Sequence, residues 1–156
     1  MKQSRRQGGT TTVEFAVVGL VAVTLLFGVI EIARAMFTLN TLTEATRRAV
    51  RVAVVCPIND PAIIQAATFG DWASAPLNLN AGNFTVEYLN SAGNVIGNPT
   101  TNSGFIQIRY ARVRISNYTD FLVIPLLNLS YTAPDFSATL PRESLGIPRQ
   151  GAIQPC

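Results

Sequence analysis

From Val13 to Ile30 the chain carries eighteen residues that are apolar or small, broken by a single ionisable side chain, Glu14. Wound as a helix, such a run is about 27 Å long, close to the hydrocarbon thickness of a bilayer. A chain of 156 residues built around it has room for one anchor and one domain. Lys2, Arg5 and Arg6 precede the run, a charge bias that keeps the N-terminus cytoplasmic and exports the remainder. No A-x-A-like cleavage site closes it. Ile30 leads instead into Glu31-Ile32-Ala33-Arg34 in helical register, which favours a retained helix over a removed secretory signal.

Charge and composition exclude several classes of function. The formal net charge of +3 is carried entirely by Lys2, Arg5 and Arg6, and nine basic and nine acidic groups remain without them. The basic balance therefore describes the leader and implies no nucleic-acid partner. Lys2 is the only lysine, so a chain without the leader could not form Lys–Asn isopeptide cross-links. Histidine is absent, which removes the commonest general base and metal ligand. Neither a G-x-S-x-G elbow nor a phosphate-cradling glycine loop is present. We expect no enzyme, no cofactor and no metal. Asp60, Asp71, Asp120 and Asp135 are dispersed and read as caps and turn formers. Sequon-like triplets at Asn83, Asn117 and Asn128 read as chance in Asn- and Thr-rich loops.

Glu14 admits two readings. Thr11-x-x-Glu14 fits a capping box that complements the helix dipole. An acid inside an apolar span is otherwise costly and points to function. A second spacing bears on the choice: cutting after Gly9 makes Glu14 the fifth residue of the product. A basic leader, a glycine before the cut, glutamate at the fifth position and a long apolar helix together resemble a type IV prepilin. The resemblance implies that a prepilin peptidase cuts between Gly9 and Thr10. It implies too that the helix serves first as anchor and then in a filament core. Cleavage would create an ammonium at Thr10, which the Glu14 carboxylate of a neighbouring subunit can neutralise; Phe15 follows Glu14 at the assembly surface.

Beyond Ile30 the helical period continues to about Val55. Ile32, Met36, Leu39, Leu42, Ala45, Ala49 and Val52 or Ala53 recur every three or four residues and should face inward. Asn40, Thr43, Glu44, Arg47, Arg48 and Arg51 should form a solvated face, with Glu44 paired at i+3 and i+4. One helix is thus expected from about Thr12 to about Val55, its span at about 13–33, ended by Cys56-Pro57. Asp60-Pro61 should cap a short helix over Ala62–Phe69. A loop follows from Asp71 to Gly82, with Trp72 as its anchor. Phe84–Tyr88 alternates as a strand; Asn90–Gly104 is a long loop with a short strand at Val95-Ile96. Phe105–Ile115 reads as the strongest strand, with a bulge near Ala111 where the apolar parity switches. Asp120–Leu129 reads as a short buried helix or turn over one end of the sheet, and Phe136–Leu140 as the last strand. The tail from Ser144 to Cys156 would be loose without a tether. Cys56 and Cys156 lie beyond the membrane in an oxidising compartment, where an even cysteine count favours a disulfide.

The expected fold is α+β and type IV pilin-like, a long N-terminal helix carrying a small antiparallel sheet. Its divisions are a leader over 1–9, the long helix over 10–55, a connection over 56–83 and a β-rich head over 84–156. The Ala/Arg-rich stretch from Glu44 to Arg51, the apolar turn Phe121–Leu129 and the strand ending near Arg142-Glu143 make the chain resemble the TadE-like pseudopilins. Those belong to the Tad, or tight-adherence, Flp pilus system; the related TadF and TadG branches stay open. Thr at the first mature positions and the Asn-rich loop at Asn90–Asn102 depart from the pattern. The resemblance implies a minor pilin initiating or tipping an adhesive pilus. It would reside in the bacterial inner membrane with its head in the periplasm, and outside the cell after assembly. Implied partners are the prepilin peptidase, a major Flp-type pilin, a TadF-like minor pilin, the assembly platform with its ATPase, and the lipid bilayer. The rival expectation is an unprocessed, signal-anchored periplasmic binding or adhesion protein that never enters a filament.

Overall fold

A computed structural model of the chain describes residues 10–68, 77, 79, 81–124, 127–147 and 155–156. Helix α1 runs unbroken over Thr10–Val55, 46 residues, about 69 Å at the usual rise. Among the described residues there follow α2 (Ala62–Ala67), a 3-10 turn (Ala81–Asn83) and β1 (Phe84–Leu89). Next come α3 (Asn102–Gln107), β2 (Tyr110–Ile115), β3 (Thr119–Ile124), β4 (Leu127–Thr132) and β5 (Phe136–Pro141). The expected architecture holds: a long helix carrying a small antiparallel sheet. The sheet has the order β1-β2-β5, and β3 and β4 form a separate two-stranded hairpin.

The C-terminal half of α1 lies on the sheet. Antiparallel register sets Phe84, Ile115 and Phe136 in one cross-strand row, Val86, Val113 and Ala138 in the next, and Tyr88, Ala111 and Leu140 in a third. These rows and Leu42, Ala45, Ala49, Val50 and Ala53 of α1 belong to one core. Burying a Val or Ile side chain fully is worth about 1.5–3 kcal/mol, and Val113 and Ile115 are buried completely. Small side chains at 45, 49 and 53 let the sheet approach the helix backbone closely. The opposite sheet face is polar, where Glu87 meets its cross-strand neighbour Arg112 at 2.6 Å.

Three sequence expectations are corrected. Ile32 and Met36 do not face inward; they are 64% and 58% exposed. At about 100° per residue they sit roughly 80° and 120° round the helix from Leu42, whereas Glu31 and Thr38 lie within about 40° of it. Glu31 and Thr38 are accordingly the buried positions. The strand expected over Phe105–Ile115 begins only at Tyr110, and its pairing with β1 and β5 is regular through Ala111, with no bulge. Residues 102–107 are α3 instead, capped by the Thr101 hydroxyl, which accepts from Gly104 N at 3.2 Å. A side chain at Gly104 would collide with the Asn98 carbonyl, 2.0 Å from its Cβ. The parity switch therefore marks a helix-to-strand boundary. Val95 makes a single bridge to Leu89 where a short strand was expected.

The third correction is the Asp120–Leu129 stretch, whose described residues are strand, not helix. It falls in the β3–β4 hairpin, and Phe121, Val123 and Leu129 are exposed. The start of the tail is held as well as its end. Glu143 N and Leu145 N both donate to the Val54 carbonyl, and Gly146 N and the Ser144 hydroxyl donate to that of Val55. These satisfy carbonyls that the end of an α-helix leaves without partners. Leu145 is buried, and Gly146 has φ +77° with Pro57 so close that a Cβ would come within 2.5 Å of it. Residues 143–147 are thus fixed to the end of α1 by their own contacts. Cys56 and Cys156 are joined in a disulfide, Cα atoms 5.7 Å apart. Asp60 serves both neighbours: Oδ1 accepts from Ala62 N, starting α2, and Oδ2 accepts from Cys156 N. The leader, the end of the expected Ala62–Phe69 helix and Trp72 lie outside the described residues.

Candidate functional site

The N-terminal half of α1 stands clear of the head. Phe15, Val18, Leu20, Leu25, Leu26 and Val29 are between 64% and 79% exposed. The helix is long and apolar enough to cross a membrane. An exposed apolar surface of this extent marks contact with lipid or other protein chains. Glu14 is exposed on it, and Phe15 is 79% exposed beside it. Because α1 already includes Thr10 and Thr11, Thr11 is not at the N-cap position that the capping-box reading of Glu14 requires. Gly9 lies outside the described residues, and Thr10, the first residue described, is already helical.

Where the apolar run ends, a polar junction begins. The Arg34 guanidinium donates to Glu31 Oε1 from Nε at 3.1 Å and from Nη2 at 2.6 Å. Its Nη1 donates to Asp120 Oδ2 at 3.0 Å, and Nη2 also meets the Phe121 carbonyl. One cation thus binds a carboxylate of its own helix and one from β3, 86 residues away. The Glu31 side chain is only 7% exposed and that of Asp120 18%. Tyr131, the partner of Asp120 across the hairpin, sets its phenol near Thr38, one turn further along α1. The Val123 amide lies by the Glu31 carboxylate. At the root of the hairpin Tyr118 is buried, and burial pushes its phenol up to about 12, so it stays neutral.

Sequence reasoning missed this cluster. Asp120 had read as a turn former, and Glu31 and Arg34 merely as continuing the helix. The available signal was an acid and a base at i, i+3 directly after an apolar span. The arginines expected on a solvated face are found there: Arg47, Arg48 and Arg51 are exposed, and Arg48 pairs with Glu44 at 2.9 Å.

Removing Arg34 leaves two largely buried carboxylates facing each other without a cation. Arg34→Ala is expected to destabilise the helix–hairpin junction by on the order of 3 kcal/mol, the scale for breaking a buried ion pair. Arg34→Lys, which keeps the charge but loses the forked geometry, should fall between. Amide exchange at Leu122 and Val123 measures this: unchanged protection in Arg34→Ala would show that packing alone holds the hairpin.

Residues 9–51 match the family model described as TadE-like protein. The match takes in the Gly9–Thr10 junction, the exposed apolar run, Glu14, Glu31 and Arg34, and it ends before the head. Comparison with curated proteins and with solved structures finds no match.

Proposed function

We propose, taking as premise a TadE-like protein with an apolar N-terminal helix, that the chain is a minor pilin or pseudopilin of a Tad-type pilus. The observation that carries this reading is the unpartnered apolar half of α1 within the matched segment. Before assembly it anchors the protein in the inner membrane with the head in the periplasm; after assembly it packs among the helices of other subunits. A prepilin peptidase removes residues 1–9, freeing the Thr10 amine. Its partners are then the major Flp-type pilin, a TadF-like minor pilin and the assembly platform with its ATPase. The role is structural, in initiating or tipping a pilus used for adherence.

In this reading Glu14 acts between subunits. A carboxylate and an ammonium brought into an apolar bundle attract far more strongly than in water, whereas an unpaired one there is costly. Glu14→Gln retains size and removes the charge, so the head should fold and exchange amides as in the unsubstituted protein. Incorporation into sheared pili, measured by immunoblot, should fall at least tenfold. Unchanged incorporation would remove Glu14 from the assembly contacts, whereas absence of the unsubstituted protein from sheared pili would favour the anchored periplasmic protein.

A further inference from the structure

We propose that the β3–β4 hairpin is a membrane foot: its exposed Phe121 and Val123 insert into the outer boundary of the bilayer beside α1. The proposal rests on the reading of α1 as a membrane span. If the hydrocarbon core begins at Val13, a thickness of about 30 Å is filled by roughly twenty residues and ends near Ala33. Arg34 and Glu31 therefore stand at the boundary. Arg34 reaches Asp120 and the Phe121 carbonyl at the start of β3, and the Val123 amide, further along that strand, lies by Glu31, three residues nearer the apolar run. The hairpin thus descends toward the membrane rather than away from it.

The composition and exposure of the hairpin suit this position. Phe121 and Val123 share one strand face, alternating with Asp120 and Leu122, and are 68% and 64% exposed. No charged side chain occurs from Phe121 to Pro134. Asp120, the acid that precedes this uncharged stretch, is engaged by Arg34. Phe27, one turn before Glu31 on the same face of α1, is half-buried among exposed neighbours. In water the two exposed side chains would be an apolar patch without a partner; at the boundary they continue the lipid-facing surface of α1. Two apolar anchors at fixed height would also set the tilt of the head over the membrane. The occupant we assign is lipid, because the patch is continuous with the candidate span.

The test is depth-dependent fluorescence quenching in full-length protein reconstituted into phosphatidylcholine–phosphatidylglycerol vesicles containing brominated lipids. With Trp72→Phe as background, a single tryptophan is introduced by Phe121→Trp, by Leu25→Trp within the span, or by Tyr110→Trp on the sheet. Phe121→Trp should emit to the blue of Tyr110→Trp and be quenched at least threefold more, chiefly by bromines near the headgroups. Leu25→Trp should be quenched chiefly by bromines deep in the chains. If Leu25→Trp is quenched and Phe121→Trp behaves like Tyr110→Trp, the foot is overturned and the span stands. If Leu25→Trp escapes quenching, the span itself is wrong and the foot falls with it. Blue-shifted Phe121→Trp emission without quenching would assign the patch to a second protein chain, overturning the lipid assignment.

Discussion

Gly9→Val is expected to leave an uncut precursor whose head is still exported, while the unsubstituted mature protein begins at Thr10. N-terminal sequencing of membrane-extracted protein reads both. The expected effect is close to all-or-none because the substitution acts at the peptide bond being cut. Gly8 and Gly9 lack Cβ atoms, so the backbone before α1 can enter a protease cleft in conformations closed to Val. The consequence for assembly follows from charge. Lys2, Arg5 and Arg6 cannot enter an apolar filament core without several kcal/mol of cost each when unpaired. Cleavage removes all three and leaves one ammonium, four residues before Glu14. A signal-anchored protein would retain Met1 or Lys2 at its N-terminus. A mature chain beginning beyond Ile30 would sink the pilin reading, because no apolar helix would remain.

Cys156→Ala should lower the stability of the head by up to about 4.7 kcal/mol, the chain-entropy value for a loop of about 100 residues. Cys56 and Cys156 are separated by 100 residues, so the bond removes much of the freedom of the unfolded chain. The native cost is smaller, because residues 143–147 are held by the Val54 and Val55 carbonyls without it. The substitution should therefore shift the urea midpoint of detergent-solubilised protein strongly and leave amide protection at Leu145 and Gly146 in place. Reduction of the unsubstituted protein should reproduce the shift. Equal stability with and without the bond would mean that the reduced, unfolded chain is already compact around those residues.

Periodic and local features were legible before any coordinates. The apolar run, its continuation to Val55 and the capping role of Asp60 all depend on neighbours within a few residues, and α1, α2 and β1 appear where expected. The partner for Cys56 was legible by elimination, since Cys156 is the other cysteine. Two local signals were misread. Alternation across Phe105–Arg109 looked like a strand, yet the Thr101 hydroxyl and the missing Cβ at Gly104 favour a helical turn there. The apolar stretch after Asp120 looked like a core plug because apolar residues are usually hidden, a rule that fails beside a membrane or a partner surface.

What the amino-acid order determined by itself is the axis of this protein: a basic leader, a small-residue junction and one long helix, apolar at first and amphipathic after. A helix needs only residues three and four apart to agree, so its existence and its ends can be read from the chain. Tertiary structure alone decided that the covered face runs on through Thr38 and Glu31 instead of Met36 and Ile32, and what stands at the end of the apolar run. Arg34 joins Glu31, three residues away, to Asp120, 86 residues away, and no periodicity connects the last two. The sheet seats on Ala45, Ala49 and Ala53 of α1, and β3 lies against the same helix nearer its apolar run. Without that packing, Asp120 is a turn residue and Phe121 a core residue; with it, they form the edge where the head meets the apolar helix.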